Sequence, residues 1–298
     1  MQSHLSRRSA LGKLAAGAAV MAVGSQFSTA PAAEPSTSMK LKGNIHHSVC
    51  RWCYHTIPLD DLCQAGKEMG LVAIDLLNPD EFATAKKHDL VCSMVSNPVI
   101  NGLGGITKAW NRVEHHDQLA QAYEAHIKAT AAAGYERLIC FSGNRDGLDD
   151  AQGLANCAAG LKRILPIAEK YQVTLCMELL NSKHTHKDYQ CDHVPWGVEL
   201  VKRISSDRFK LLYDIFHMQI MDGDVCSTIQ DNHMYFDHYH TGGVPGRNEI
   251  DETQELNYPR IMAAILATGF KGYVAQEFVP KRPDAIASLR QGVQICDV

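Results

Sequence analysis

Short apolar runs alternate with amphipathic segments along most of this chain. Runs of this length and composition, bounded by polar residues, glycine or proline, are typical of buried strands. The eight predicted strands are Asn44–Tyr54, Leu71–Leu77, Leu90–Ser96, Arg137–Ser142, Thr174–Leu180, Phe209–Phe216, Tyr235–Thr241 and Gly272–Phe278.

The segments between these runs show the 3.6-residue apolar period of helices. Leu59–Met69 carries acidic residues in its first turn and is followed by Gly70, so both of its ends are marked. The other predicted helices are His116–Ala133, Ala151–Tyr171, Pro259–Thr268 and Pro283–Cys296. Strict alternation of eight strands with helices predicts an α/β fold, a single closed (β/α)8 TIM barrel.

An open, doubly wound sheet is the alternative arrangement. However, no G-x-G-x-x-G sequence follows the first strand, and the count of eight strands favours closure. The predicted barrel covers residues 44–298, which is a usual size for one such domain.

Four polar residues stand late in four consecutive predicted strands, namely Glu178, Asp214, His240 and Glu277. In a TIM barrel the carboxyl ends of the strands share one face, so these four side chains can converge there. A charge within an apolar run costs free energy unless it is paired or coordinated. Three carboxylates and one imidazole form an oxygen-rich ligand set for one divalent cation, for which Mg²⁺, Mn²⁺ and Co²⁺ are all suitable.

Further polar residues follow the same strands. His217 comes three residues after Asp214 and is expected to point into the barrel mouth, and Asn181 occupies the matching place after Glu178. His238 shares a face of the seventh strand with the candidate ligand of that strand, so it is a candidate for supporting that ligand.

Arg247 lies in the loop after the seventh predicted strand. A fixed guanidinium at this place could bind a substrate carboxylate or hydroxyl groups in a bidentate manner. The alternative is a surface arginine that pairs with Glu249 or Asp251. Asn144 and Arg145, which end the fourth strand, are candidates either for a turn or for substrate contact.

The first predicted strand holds the one C-x-x-C sequence, Cys50 to Cys53. Residues three apart in a strand point to opposite faces, and no second C-x-x-C completes a zinc site, so a redox or zinc role is disfavoured. Trp52 and Tyr54 are candidates either for an apolar wall of the substrate pocket or for the core. The pairing of the ten cysteines is left open by the sequence.

Residues 1–33 have the pattern of an export signal. Ser6–Leu11 contains a twin-arginine sequence, Leu14–Val23 is a modestly apolar run, and Ala30–Ala33 offers a cleavage point. The run is too short and too rich in glycine and alanine for stable membrane insertion. We predict a cleaved signal peptide over 1–33, a short linker over 34–43 and a periplasmic or otherwise exported protein. A disordered tail is the alternative.

The charge of the chain argues against nucleic-acid binding. The formal net charge is −4, and the predicted leader contains three basic residues and no acidic one, so the mature chain would carry −7. An acidic protein without a basic stripe is poorly suited to a phosphate backbone.

Several motifs, taken in their order along the chain, resemble a known family. They are Phe141–Arg145 (FSGNR), Met177–Asn181 (MELLN), Asp214–Gln219 (DIFHMQ), His240–Glu249 (HTGGVPGRNE) and Gln276–Phe278 (QEF). From about Lys40 to the C-terminus, the chain resembles the xylose-isomerase-like TIM barrels, and among them hydroxypyruvate isomerase and its relatives.

The resemblance implies that the four candidate ligands bind one Mg²⁺ or Mn²⁺. It implies that Glu178 and Glu277 exchange protons with the substrate, and that His217, Arg247 and Asn181 bind the substrate. Relatives of this kind commonly form homo-oligomers, and the partner implied is a small hydroxy-carbonyl or sugar molecule.

The implied reaction is an isomerisation through an enediolate, from hydroxypyruvate to 2-hydroxy-3-oxopropanoate (tartronate semialdehyde). Two features depart from the hydroxypyruvate isomerase pattern. His240 stands where those isomerases can have glutamine and ketose 3-epimerases have histidine, and hydroxypyruvate is an intracellular metabolite. Ketose 3-epimerisation, another sugar isomerisation, or a lyase reaction on oxidised sugars is therefore the alternative. A nuclease on the same barrel would need more metal ligands and a basic face, and a non-catalytic sugar-binding protein is a further possibility.

Overall fold

Eight parallel strands form the centre of the molecule. The structure, a computed structural model, describes residues 40–298, and the predicted leader motifs lie outside these residues. The strands are β1 (His46–Val49), β2 (Ala73–Ile74), β3 (Val91–Cys92), β4 (Arg137–Cys140), β5 (Thr174–Glu178), β6 (Phe209–Asp214), β7 (Phe236–Thr241) and β8 (Tyr273–Gln276).

The strands close into a ring. Six of them form a continuous parallel sheet in the order β1-β8-β7-β6-β5-β4, and β2 pairs with β3. Parallel bridges connect Cys50 to Asp75, and Val95 to both Leu77 and Leu138, which joins the short pair to the two ends of the large sheet. The predicted TIM barrel is therefore confirmed.

Helices connect successive strands and cover the ring. Among residues 40–298 they are α1 (Leu59–Glu68), α2 (Phe82–Lys87), α3 (His116–Ala132), α4 (Asp150–Lys162), α5 (Leu165–Tyr171), α6 (Val194–Ile204), α7 (Ile215–Met221), α8 (Val225–Asn232), α9 (Tyr258–Ala267) and α10 (Ala285–Cys296). None of these helices is long and apolar enough to cross a lipid bilayer.

The predicted single helix Ala151–Tyr171 is wrong, because the structure has α4 and α5 in its place. Pro166 lies in the first turn of α5, where its missing N–H is tolerated. In the middle of a continuous helix the same residue would lack a hydrogen bond and would disfavour the helical conformation of Leu165. The proline thus separates the two helices.

Seven of the eight predicted strands run past the end of the observed strand, and at two of them the structure shows what ends the strand. β1 ends at Val49, and a 3-10 turn over Arg51–Tyr54 follows, closed by a hydrogen bond from the Arg51 guanidinium to the Tyr54 carbonyl (2.8 Å). β6 ends at Asp214, because the Asp214 side chain accepts a hydrogen bond from the His217 amide (3.0 Å) and so begins α7. In both places the chain turns at the rim of the barrel.

Free cysteines are part of the apolar interior. All ten lie within the described residues, none forms a disulfide, and all except Cys226 are buried. Burial raises the pKa of the Cys50 and Cys53 thiols well above the usual value. Buried thiols of this kind are chemically inert and pack as small apolar side chains, so the C-x-x-C is part of the fold.

Candidate metal centre

Three carboxylates and one imidazole meet at the carboxyl rim of the barrel. Glu178 and Asp214 are the last residues of β5 and β6, His240 lies near the end of β7, and Glu277 directly follows β8. All four are buried, and one ligand atom from each lies within 4.8 Å of the others. The structure thus brings together the four residues that the sequence singles out.

The four side chains are close enough to share one cation. Nδ1 of His240 lies 3.2 Å from Oε1 of Glu178 and 2.6 Å from Oε2 of Glu277. Oδ2 of Asp214 accepts a hydrogen bond from Nη2 of Arg247 (2.8 Å), and the same nitrogen donates to Glu277. Carboxylate oxygens with one imidazole nitrogen suit Mg²⁺ or Mn²⁺, so the residues fit the ion that the resemblance implies.

Burial and mutual repulsion shape the ionisation of the acids. Burial raises the pKa of Glu178, and the charge of Glu277 raises it further. Burial likewise raises the pKa of Asp214 to about 8, although the Arg247 guanidinium opposes this. Burial would also raise the pKa of Glu277, but Arg247 and His240 hold it well below its usual range. Three buried acids thus face one arginine, and a divalent cation would balance the remaining charge.

Trp52, which follows the neighbouring strand β1, supports Glu277. Its indole Nε1–H donates to Oε1 of Glu277 (2.7 Å), while the other carboxylate oxygen faces Arg247 and His240. Trp52 is 43% exposed, so it is neither a core residue nor a purely apolar wall. Tyr54, by contrast, is buried and packs edge-to-face on Phe278.

His217 is a neutral imidazole of fixed orientation. Its Nδ1 accepts hydrogen bonds from the backbone N–H (3.1 Å) and side-chain amide (2.6 Å) of Asn181, so the ring proton is on Nε2. Burial and the neighbouring Arg247 lower the pKa of His217. Nη1 of Arg247, which can only donate, is in direct contact with Nε2 of His217, so the two side chains form one polar group at the rim.

Arg247 faces the metal centre and not the surface. Its guanidinium contacts Asp214 and Glu277 and lies 5.5 Å from the centre of the Trp52 ring. Asp251, one of the alternative partners, pairs with Arg282 instead. The interpretation of Arg247 as an unrelated surface arginine is therefore wrong.

Arg145 stabilises the loops after β4 and β5 outside the site. It pairs with Asp150 (2.9 Å) and Asp192 (2.9 Å) and donates to the carbonyl of Tyr189. These contacts hold the segment after β5 against the segment after β4. Of the two interpretations that the sequence left open, the structure favours the structural one for Arg145.

Asp75 is a fully buried carboxylate that the sequence analysis did not single out. Its Oδ2 accepts hydrogen bonds from Nε2 of His240 (2.8 Å) and Nε2 of His238 (3.2 Å), and its Oδ1 accepts one from the Ser93 hydroxyl. Burial would raise the pKa of Asp75, but His238 and His240 hold it below its usual range. A signal existed, because Asp75 lies within the apolar run Leu71–Leu77.

A cavity of about 600 Å³ opens above the metal centre. Glu178, Glu277 and Arg247 line one side of it, and residues that follow β1 to β4 line the other. His186, in the segment after β5, also lines the cavity and packs against His217 with 5.2 Å between the ring centres.

Solved structures share this architecture. An AP endonuclease of family 2 from Brucella melitensis superposes with a TM-score of 0.75 at 22% identity, covering 84% of this chain and 99% of the other. A 3-keto-D-glucoside 4-epimerase from E. coli superposes with a TM-score of 0.68 at 14% identity, covering 84% and 98%. Likeness at these identities establishes the fold alone.

Relatives of known name are isomerases and epimerases. A 2-oxo-tetronate isomerase from Cupriavidus necator is 28% identical over 222 residues, which cover 71% of this chain and 84% of the relative. A human protein named "Putative hydroxypyruvate isomerase" is 31% identical over 113 residues, and this match spans only 40% of its length and 38% of this chain. A D-psicose 3-epimerase from Ruminiclostridium cellulolyticum is 29% identical over 121 residues, which cover 39% of this chain and 38% of the relative.

A family model extends over most of the barrel. The model for the xylose isomerase-like TIM barrel matches residues 74–295, a range that contains all four candidate ligands, Asp75 and Arg247. The chain therefore belongs to the xylose isomerase-like TIM barrel family.

Proposed function

We propose that this protein is a divalent-metal-dependent isomerase or epimerase that acts on an α-hydroxy carbonyl compound through an enediolate. The observation that carries the proposal is the convergence of Glu178 and Glu277 with Asp214 and His240 at the rim of one cavity. Two glutamates beside one cation site form the acid–base pair that proton transfer between neighbouring carbons requires. The isomerase and epimerase names of the relatives support this reaction class.

The two glutamates move the proton. One carboxylate removes the proton from the carbon next to the carbonyl, and the electron pair of that C–H bond becomes the double bond of the enediolate. Delivery of a proton by the other glutamate to the neighbouring carbon, with transfer of the substrate hydroxyl proton to the former carbonyl oxygen, gives an isomer. Delivery to the opposite face of the same carbon re-forms the carbonyl and gives an epimer. A bound Mg²⁺ or Mn²⁺ would supply Lewis-acid stabilisation of the developing negative charge.

His217 and Arg247 position the substrate. Nη1 of Arg247 and Nε2 of His217 are in direct contact at the rim, so a substrate oxygen that binds there meets both side chains. Asn181 fixes the tautomer and the orientation of His217 through its two hydrogen bonds to Nδ1. Donors that are held in place before the reaction stabilise developing charge without reorganisation.

Hydroxypyruvate is the first substrate to test, with 2-hydroxy-3-oxopropanoate as its product. The motif resemblance and the human relative support it. A ketose 3-epimerase is the second candidate, favoured by His240 at the position where hydroxypyruvate isomerases can have glutamine and by the D-psicose 3-epimerase relative. A lyase acting on oxidised sugars has no comparable support.

Proton exchange in deuterated water tests the proposal. The purified protein, loaded with Mg²⁺, is incubated with hydroxypyruvate, D-fructose or D-psicose and followed by NMR. We expect deuterium to enter the carbon next to the carbonyl of at least one substrate, and to be absent with a Glu277→Gln variant of unchanged fold. Lack of exchange with every α-hydroxy carbonyl tested would contradict the enediolate mechanism.

We also propose that the protein is exported through its twin-arginine sequence. The pattern over Ser6–Leu11 and the small residues at Ala30–Ala33 support this proposal. Fractionation of cells that express the full chain should find a shortened protein in the exported fraction. An Arg7→Lys, Arg8→Lys double variant should stay in the cytoplasm at full length, and its export would contradict the proposal.

A further inference from the structure

The cavity is much larger than a three-carbon substrate. Its volume is about 600 Å³. At roughly 30 Å³ per water molecule, a compound such as hydroxypyruvate would displace roughly four or five waters and leave most of this space to solvent. Ligand pockets usually bury most of the surface of their ligand, so the cavity fits a longer molecule better.

The cavity wall opposite the four candidate ligands differs from the ligand side in its side chains. Leu76, Ile139 and Phe141, which follow or end β2 and β4, give it an apolar surface. Ser96 and Asn97, which follow β3, add polar atoms at the same wall. A mixed apolar and hydrogen-bonding surface complements a sugar ring, which presents C–H groups on its faces and hydroxyl groups at its edge.

Two polar side chains of this wall can bind such a ring. Ser96 is half-buried and lines the cavity, and its hydroxyl can both donate and accept. The Asn97 side chain donates its amide to the Gly104 carbonyl (2.9 Å), which holds the side chain in place and leaves its oxygen as an acceptor. One donor and one acceptor thus lie across the cavity from Glu178 and Glu277.

We propose that this wall is a subsite for a hydroxylated, ring-sized substituent, so that the substrate is a glycosylated or otherwise extended ketose. The inference rests on the proposed function, because the metal centre defines the reacting end of the substrate. The reacting hydroxy-carbonyl end lies at Glu178 and Glu277, and the substituent extends toward Ser96 and Asn97.

Isomaltulose, in which a glucosyl group is attached to fructose, is the probe. Deuterium exchange and calorimetric binding are measured with the Mn²⁺-loaded or Mg²⁺-loaded enzyme for isomaltulose, D-fructose and hydroxypyruvate. We expect isomaltulose to bind at least about ten-fold more tightly than fructose, because the subsite adds hydrogen bonds and apolar contact. A Ser96→Ala, Asn97→Ala double variant should lose this about ten-fold preference while its fructose binding stays unchanged.

Asn101→Ala is the matched control. Asn101 is exposed and bonds to Gln118 in the same connection after β3, outside the cavity, so the isomaltulose preference should persist. Equal affinity for isomaltulose and fructose, or a double variant that weakens both equally, would overturn the subsite. Tight isomaltulose binding without deuterium exchange would support the subsite and contradict the proposed reaction.

A second inference concerns Asp75, which touches neither the cavity nor the other acids directly. Its carboxylate lies below His240 and is fully buried. The 2.8 Å contact with Nε2 of His240 leaves Nδ1, the other ring nitrogen, directed at Glu178 and Glu277. Histidine ligands of metals generally donate their second ring N–H to a carboxylate or carbonyl, which fixes the ring and its tautomer.

We infer that Asp75 is the positioning residue of the metal centre, which keeps the proton of His240 on Nε2 so that Nδ1 can bind the cation. Ser93 and His238 hold Asp75 in turn, through one hydrogen bond each. This arrangement connects β2, β3 and β7 below the rim.

An Asp75→Asn variant should bind Mn²⁺ about ten- to a hundred-fold more weakly by calorimetry. A Ser93→Ala variant, which keeps the contact between Asp75 and His240, should retain most of the affinity. Unchanged Mn²⁺ affinity in Asp75→Asn would overturn the inference.

NMR of the unaltered protein provides a test that needs no variant. In the Mg²⁺-loaded, ¹⁵N-histidine-labelled protein, the Nε2–H proton of His240 should exchange slowly with water, since it is buried and bonded to a carboxylate. A rapidly exchanging proton, or a proton on Nδ1, would contradict the inference even if Asp75→Asn fails to fold.

Discussion

The two halves of the barrel rim differ in strand length and in chemistry. β5, β6 and β7 are five to six residues long, and together with β8 they deliver the four candidate ligands. β2 and β3 are two residues long and are followed by loops that line the cavity mainly with apolar and neutral polar side chains, together with Glu81.

This difference suggests that one half of the rim carries out the reaction and that the other half contributes to the choice of substrate. On the ligand half each charged group is held by several others, since buried charges are tolerated only with partners. On the opposite half, Trp52 and Asp75 support the ligands, whereas Ser96 and Asn97 make no contact with them. Changes on the ligand half should therefore affect catalysis, and changes at Ser96 and Asn97 should affect the choice of substrate.

The largest effect is expected from Glu277→Gln on the ligand half. The amide cannot accept the proton, and it weakens the cation site as well, so the rate of deuterium exchange should fall by about a thousand-fold. Circular dichroism should show an unchanged fold. Activity close to that of the unaltered enzyme would show that Glu277 does not transfer the proton. It would also contradict the assignment of catalysis to the ligand half.

Removal of the metal should come next. After treatment with a chelator, exchange should stop, and the free energy of unfolding should fall by about 3 kcal/mol relative to protein in metal at a hundred times its Kd. The reason is that the folded state alone gathers the three acids and the imidazole around one point. Thermal unfolding with and without Mn²⁺ measures this, and equal stability would contradict a cation site.

A smaller effect should follow from Trp52→Phe. This variant keeps an aromatic ring beside Arg247 but removes the Nε1–H that donates to Glu277. Loss of one hydrogen bond to a charged group corresponds to about a ten-fold lower kcat/KM. Tyr54→Phe is the matched control, because the Tyr54 hydroxyl is buried without a partner among the described residues. Equal effects of both variants would indicate general disturbance of this turn.

The smallest effect on activity is expected from a His47→Gln substitution. His47 lies on β1 and is not part of the cavity lining. Burial lowers the pKa of His47 from 6.5 to about 4, although Asp297 opposes this. The unfolded chain therefore binds a proton more readily than the folded one between these values, so stability is complete above about pH 6.5 and is lost as the pH falls toward 4.

The His47 contribution to the free energy of unfolding should therefore fall by about 3 kcal/mol as the pH approaches 4. Denaturant unfolding between pH 4 and 7 measures it, with a His47→Gln variant as the reference. The variant should show a weaker pH dependence and normal exchange at neutral pH. An identical pH dependence in both proteins would remove His47 as its cause.

Part of this picture was accessible from the sequence. The alternation of apolar runs and helical periods predicts a barrel, and a charge within an apolar run marks a place where a partner or a cation is required. The same rule applies to Asp75 in its apolar run, although Asp75 lies below the rim and supports a ligand from there. Pro166 is also a local signal, because a proline within an apolar helical period favours a break between two helices.

Local periodicity and residue type were enough to predict the barrel and the four residues at consecutive strand ends, and the motifs carried the family resemblance. The groups that support these four residues became visible only in the folded structure. Trp52 and Glu277 are 225 positions apart, and Asp75 and His240 are 165 apart. Such contacts depend on how the ring closes and on the direction of each turn at its rim, and no local pattern encodes either.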